Sequence, residues 1–132
     1  MGQNGDIVRS LYAAFARGDV AAVLGAFDAN IQWREAESVR YADRNPYRDP
    51  MAVAEGVFMR IMADVDNFTV TPEQFLEGGD GVLAEGRYRG KVKATGKPID
   101  AQFAHVWRLR DGKIVGFQQY TDTRQWAEAL GG

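Results

Sequence analysis

The sequence AQFAHVWRLRDGKIVGFQQYTD at residues 101–122 decides the fold class of this chain. Apolar and polar side chains alternate over its first ten residues, which is typical of a β-strand with one buried face. The Asp111-Gly112 dipeptide then predicts a two-residue turn, and a second strand follows from Ile114 to about Asp122. This stretch therefore predicts a long antiparallel hairpin, with His105 on the apolar face of its first strand.

Two further strands are predicted upstream of this hairpin. Residues 82–93 alternate, and a Gly-rich turn at 78–81 joins them to a strand whose phase slips near Pro72, which indicates a bulge. One face of the 82–93 strand carries a basic row of Arg87, Arg89, Lys91 and Lys93. Such a row is typical of the solvated face of a half-buried sheet, and it has no interleaved aromatic residues. We therefore expect no nucleic-acid partner.

Two short antiparallel helices are predicted at the N-terminus. Apolar residues recur at three- and four-residue spacing over residues 7–15 and again over residues 20–27. Gly18 has the residue type that ends a helix, and Asp19 has the type that caps the next one. The tight junction between the two stripes favours an antiparallel pair.

A short strand and a third helix complete the predicted elements. Residues 31–35 alternate, so Trp33 and Glu35 share one face. A long loop over residues 36–49 ends at Asp49-Pro50, a typical helix start. Helices followed by antiparallel strands predict an α+β fold. We expect a curved antiparallel sheet wrapped around the helices, a cone with an interior pocket.

Composition limits the classes of function. The 132 residues suit one domain, 1–132, and 45% of them are apolar, which argues against disorder. There is no cysteine and a single histidine, so we expect no metal site and no disulfide. The net charge is −2, no run approaches a membrane span, and the N-terminus lacks the features of a signal peptide. These features predict a cytoplasmic protein with no membrane partner.

The order of these elements and several motifs resemble the nuclear transport factor 2-like superfamily, in its SnoaL-like and ketosteroid isomerase-like branch. The matching segments are Phe15-Ala-Arg-Gly-Asp19, Phe27 to Trp33, Asn45-Pro-Tyr-Arg48 before Met51-Ala-Val-Ala-Glu55, His105 to Ile114, and Tyr120-Thr-Asp122. The resemblance covers nearly the whole chain and implies a single α+β roll. It implies fold more than function, because members include isomerases, cyclases, epoxide hydrolases, dehydratases and non-catalytic binders.

The resemblance also implies three catalytic candidates. Glu35 falls where ketosteroid isomerases place the carboxylate that moves a proton, and His105 falls where they hold an oxyanion-binding acid. Asp122 falls where polyketide cyclases place their acid/base aspartate. Leu11 lies near the position of an oxyanion-binding tyrosine, a departure that counts against steroid isomerisation. The pair His105 and Asp122 is more similar to the cyclase pattern.

Structural roles compete with each of these assignments. His105 could be a core histidine that is satisfied by a tyrosine or a backbone carbonyl, Asp122 could cap the last helix, and Glu35 could be a solvated strand-end residue. The inward face of residues 114–122 stays open. The expected pocket or core lining comprises Trp33, Tyr41, Tyr47, Phe58, Met62, Phe103, Trp107, Gln118 and Tyr120. Tyr41 and Tyr47 lie in the long loop, a candidate lid over the mouth.

Three functions are compatible with these features. The first is an isomerase, cyclase or lyase that needs no cofactor and acts by acid/base chemistry on a small hydrophobic carbonyl or hydroxyl compound. The second is a binding domain that uses the same pocket without turnover. The third is a dimeric interaction domain, and the resemblance implies a homodimer formed through the sheet. The enzyme is favoured if two or more titratable groups converge on one cavity.

Overall fold

The computed structural model describes residues 2–131, and it begins with the two predicted helices. Helix α1 spans Gln3–Ala16 and helix α2 spans Val20–Gly25. Gly18 has a φ of 75°, in the left-handed region that suits glycine after a helix, and the Asp19 side chain accepts a hydrogen bond from the Ala22 amide. The junction therefore forms as the sequence predicts.

Strand β1 spans Phe27–Arg34, so it starts earlier than the sequence predicted. Phe27, which the helical stripe assigned to the second helix, instead pairs with Ile114 across the sheet. A short 3₁₀ helix at Arg40–Arg44 interrupts the long loop that follows. The local apolar spacing misplaced Phe27 because a buried strand residue satisfies the same pattern.

The third predicted helix is continuous but is not uniform. Helix α3 spans Pro50–Val53, a π-helical turn spans Ala54–Phe58, and helix α4 spans Met59–Asp64. Asp49 caps it, because its side chain accepts a hydrogen bond from the Ala52 amide at 2.7 Å. The π-helical turn is an irregularity that regular 3.6-residue spacing does not anticipate.

The remaining strands form the predicted antiparallel array. They are β2 at Val65–Gly78, β3 at Gly81–Val92, β4 at Pro98–Arg110 and β5 at Lys113–Thr121, and helix α5 at Thr123–Leu130 closes the chain. The sheet order is β1-β5-β4-β3-β2, in which only the β1–β5 pair is parallel. The β2–β3 register shifts between Pro72 and Gln74, which confirms the bulge expected there.

The core lies between the concave face of the curved sheet and the helices, as the α+β prediction requires. The basic row of β3 is on the outer face, where Arg87 Nε lies 2.7 Å from Asp100 Oδ1. Among the helices of residues 2–131, none is both long and apolar enough to cross a membrane.

Candidate functional site

A cavity of about 70 Å³ lies inside the cone, between the sheet and the helices. Its walls are mostly aromatic or aliphatic side chains from α1, α2, the helix 50–64 and every strand. The polar groups that reach it are those of Tyr12, Glu35, Tyr88, His105 and Gln119. Within the described chain, no lysine or arginine lines the cavity, and no three His, Asp or Glu side chains are grouped as metal ligands.

Glu35 supplies the carboxyl group of the cavity. It follows β1 two residues after Trp33, so strand alternation turns both side chains inward, and Trp33 Nε1 donates to Glu35 Oε2 at 2.9 Å. Asn45 fixes the backbone here: its Oδ1 accepts from the Glu35 amide at 2.9 Å and its Nδ2 donates to the Glu35 carbonyl at 2.7 Å. Glu35 is therefore a buried residue and not a solvated residue at a strand end, because only 2% of it is exposed.

The second carboxyl oxygen of Glu35 is chemically available. Oε1 is buried and has no hydrogen-bond partner among residues 2–131. Burial disfavours the charged form and raises the pKa of Glu35 to about 7, and the hydrogen bond from Trp33 opposes this rise. A carboxyl group with such a pKa can both release and accept a proton near neutral pH.

His105 lies between two tyrosines. Its Nδ1 is 2.6 Å from the Tyr12 hydroxyl and its Nε2 is 2.5 Å from the Tyr88 hydroxyl. Burial lowers the pKa of His105 to about 3, so the imidazole ring is neutral at any ordinary pH. His105 thus has the tyrosine partners that a satisfied core histidine needs, and it also lines the cavity.

Two more residues extend this chain of hydrogen bonds. Trp107 Nε1 donates to the Tyr12 hydroxyl at 2.9 Å, and Gln119 Nε2 donates to the Tyr88 hydroxyl at 2.8 Å. The Ala36 amide donates to Gln119 Oε1 at 3.0 Å, which fixes the orientation of the Gln119 side-chain amide. Burial raises the pKa of the Tyr12 and Tyr88 hydroxyls above the usual range for tyrosine, so both hydroxyls stay protonated.

The structure brings together some of the residues predicted from the sequence. Glu35, His105, Trp33, Phe58 and Trp107 line one cavity. Asp122 lies outside that lining: its side chain accepts a hydrogen bond from the Gln125 amide at 3.1 Å and caps α5. Its catalytic role stays a prediction, and the cavity chemistry does not depend on it.

A bulge explains why two further residues lie outside the cavity. Arg108 pairs with Gly116 and Leu109 pairs with Ile114, so Val115 is an extra residue in β5. Beyond it the alternation changes phase, and Phe117 and Gln119 point inward. Gln118 and Tyr120 belong instead to the outer face, where Tyr120 is 57% exposed.

The other four expected lining residues have different surroundings. Met62 is 60% exposed, because the inward row of the irregular helix is Val53, Val57 and Ile61. The Phe103 ring stacks on the His105 ring with 4.0 Å between the two ring centroids, but Phe103 does not itself line the cavity. Tyr41 and Tyr47 are buried in the loop. The Tyr41 hydroxyl donates to Asp64 at 2.7 Å, and the Tyr47 hydroxyl donates to the Tyr41 carbonyl. These hydrogen bonds stabilise the loop, so the two tyrosines have a structural role.

Three residues that line the cavity, Tyr12, Tyr88 and Gln119, were not predicted from the sequence. Tyr12 is one position beyond Leu11, which was compared with the oxyanion-binding tyrosine, so a one-residue shift would have revealed a hydroxyl there. Tyr88 lies on the face of β3 opposite the basic row, and alternation marks it as inward but gives it no polar role. Gln119 was hidden by the bulge, and no local signal marked it.

Known proteins share this architecture. An NTF2-like protein from Burkholderia thailandensis is 36% identical, with a TM-score of 0.93 and 100% of both chains covered. An NTF2-like protein from Burkholderia pseudomallei is 24% identical, with a TM-score of 0.90 and the same coverage. TerC, co-crystallized with polyporic acid, is 20% identical, with a TM-score of 0.86 over 99% of this chain and 100% of its own. No curated protein matches the sequence. The profile of the SnoaL-like domain matches residues 8–117, and the chain therefore belongs to the SnoaL-like domain family.

Proposed function

We propose that this protein is a cofactor-independent acid/base enzyme that binds a small hydrophobic carbonyl or hydroxyl compound in its cavity. The observation that carries the proposal is the free Oε1 of Glu35, a buried carboxyl oxygen in an apolar cavity that also holds two phenol hydroxyls. A buried polar atom without a partner is costly, so its presence beside an open space points to a ligand.

The proposed chemistry is proton removal next to a carbonyl group. The Glu35 carboxylate takes a proton from the carbon adjacent to the carbonyl, and the C–H electron pair forms the C=C bond of an enolate. The C=O bond electrons move to the oxygen, which accepts a hydrogen bond from a tyrosine hydroxyl. Glu35 then returns the proton to carbon or to oxygen. Isomerases, cyclases and lyases that act on carbonyl compounds share this step.

The lining supports a neutral, apolar substrate of modest size. The absence of lysine and arginine from the described lining leaves no cation to bind a phosphate or carboxylate group. Aromatic side chains instead offer flat apolar contact, and the polar groups fix orientation. TerC, which shares the fold, was co-crystallized with polyporic acid, and this supports an organic ligand for the present cavity.

The test is hydrogen–deuterium exchange into a panel of aryl and cyclic ketones in D₂O, followed by proton NMR. We expect exchange at the carbon next to the carbonyl, and Glu35→Gln to slow it by about 100-fold or more. The matched control is Glu37→Gln, which removes an exposed carboxylate two residues away and leaves the rate unchanged. The rate should rise with pH and reach half of its maximum near pH 7.

A non-catalytic binding domain is the alternative, and the same experiment separates the two. Ketones that bind without catalysed exchange in the wild-type protein would assign the cavity to binding only. Equal exchange rates in wild type and Glu35→Gln would remove Glu35 from the mechanism.

A further inference from the structure

Tyr12, His105 and Tyr88 carry three exchangeable protons between them, one more than the two hydrogen bonds that join them require. Tyr12 and Tyr88 each carry one hydroxyl proton, and the neutral imidazole carries one N–H. Only two contacts join these three groups, one at Nδ1 and one at Nε2. Each hydrogen bond contains one proton, so the third proton takes part in neither of them.

The spare proton must belong to a tyrosine. A neutral imidazole donates from one ring nitrogen and accepts at the other, so one tyrosine donates to His105 and the other accepts from it. The accepting tyrosine already has a second donor, because Trp107 donates to Tyr12 and Gln119 donates to Tyr88. Its own O–H is therefore free, and both tyrosines line the cavity.

The ring tautomer determines which tyrosine this is. With the proton on Nδ1, His105 donates to Tyr12, Tyr88 donates to Nε2, and the Tyr12 hydroxyl is free. With the proton on Nε2, His105 donates to Tyr88, Tyr12 donates to Nδ1, and the Tyr88 hydroxyl is free. The number of protons and the net charge are the same in both arrangements, so neither involves an ionised group.

We propose that Tyr12 and Tyr88 are a redundant pair of hydrogen-bond donors for the ligand oxygen, and that His105 between them is the positioning residue that selects which one donates. This inference rests on the proposed function, because it concerns an oxygen-bearing ligand in the same cavity. It adds that either tyrosine suffices and that His105 exchanges no proton with the ligand.

The probe ligands are acetophenone and α-methylstyrene, which have nearly the same shape but carry C=O and C=CH₂ respectively. The measured quantity is the preference for the ketone, the ratio of the two dissociation constants obtained by NMR titration. We expect Tyr12→Phe and Tyr88→Phe each to keep this preference within about twofold of wild type, since the remaining tyrosine donates. The double variant should lose about fivefold or more, the size of one hydrogen bond.

The control is Tyr41→Phe, which removes a buried hydroxyl outside the cavity lining and should leave the preference unchanged. If one single variant loses the whole preference and the other loses none, the donor is fixed and the redundant pair is wrong, while the proposed ligand class stands. If wild type and double variant show the same preference, the ligand class fails as well. If the double variant does not fold, loss of the preference in one single variant still overturns the redundant pair, because a fixed donor must be lost in one of them.

Nitrogen-15 NMR of the His105 ring tests the selecting role without any ligand. We expect the ring proton on Nε2 in Tyr12→Phe and on Nδ1 in Tyr88→Phe, because a buried N–H needs the one remaining hydroxyl as its partner. The same tautomer in both variants would overturn the role of His105. This result does not depend on whether a ketone binds.

Discussion

Replacing Glu35 with glutamine should change how the stability of the protein depends on pH. Two buried groups of the cavity titrate differently in the folded and unfolded chains. The pKa of Glu35 is raised to about 7 from its ordinary 4.5, and the pKa of His105 is lowered to about 3 from its ordinary 6.5. The unfolded chain restores both ordinary values, so each difference contributes to the free energy of unfolding.

The two contributions have opposite signs. Between pH 7 and 4.5 the folded state binds the Glu35 proton more tightly than the unfolded state, so this group stabilises the fold as pH falls. Between pH 6.5 and 3 the unfolded state binds the His105 proton more tightly, so that group destabilises the fold as pH falls. From pH 7 to pH 5 each amounts to about 2 kcal/mol, and the two nearly cancel in wild type.

Glu35→Gln removes the stabilising contribution and leaves the destabilising one. We therefore expect the free energy of unfolding to fall from pH 7 to pH 5 by about 2 kcal/mol more in this variant than in wild type. The assay is urea unfolding at the two pH values, followed by tryptophan fluorescence, with Glu37→Gln as the control for the loss of a carboxylate. Parallel pH profiles in wild type and Glu35→Gln would refute the raised pKa of Glu35.

Three further outcomes are expected. Asp122→Ala should lower the free energy of unfolding by about 1 kcal/mol, because it removes the cap of α5, and it should leave the ketone exchange rate unchanged. A large loss of exchange in a folded variant would support the catalytic role predicted from the sequence. Gly86→Ala should cost about 2 kcal/mol or more in urea unfolding, because its Cβ would clash with the backbone carbonyl oxygen of Thr71 and would lie 2.7 Å from Cζ of Phe103. Gly78→Ala adds a methyl group in open space and should be nearly neutral. The predicted homodimer should appear in light scattering at twice the monomer mass, and Tyr120→Asp on the outer sheet face should dissociate it; a monomeric wild type would contradict it.

Local patterns in the sequence were sufficient for most of the fold. The alternation in β3 and β4, the Asp111-Gly112 turn and the helix start at Asp49-Pro50 all form as predicted. The reason is that each depends on neighbours within a few residues, through side-chain direction, turn geometry or capping. The face that Glu35 shares with Trp33 followed in the same way from their spacing, but its burial did not, because the sequence allowed a solvated strand end there.

Tertiary structure decided which polar groups face the cavity and how they are connected. The bulge at Val115 depends on pairing with β4, and it determines that Gln119 rather than Tyr120 points inward. The contacts of His105 join α1, β3 and β4, so they arise only when segments far apart in the chain pack together. The sequence alone determined the α+β architecture and its apolar interior, because periodicity is local. The unpartnered oxygen of Glu35 and the spare proton beside His105 belong to the assembled fold, because hydrogen-bond partners are set by distances between segments that periodicity does not encode.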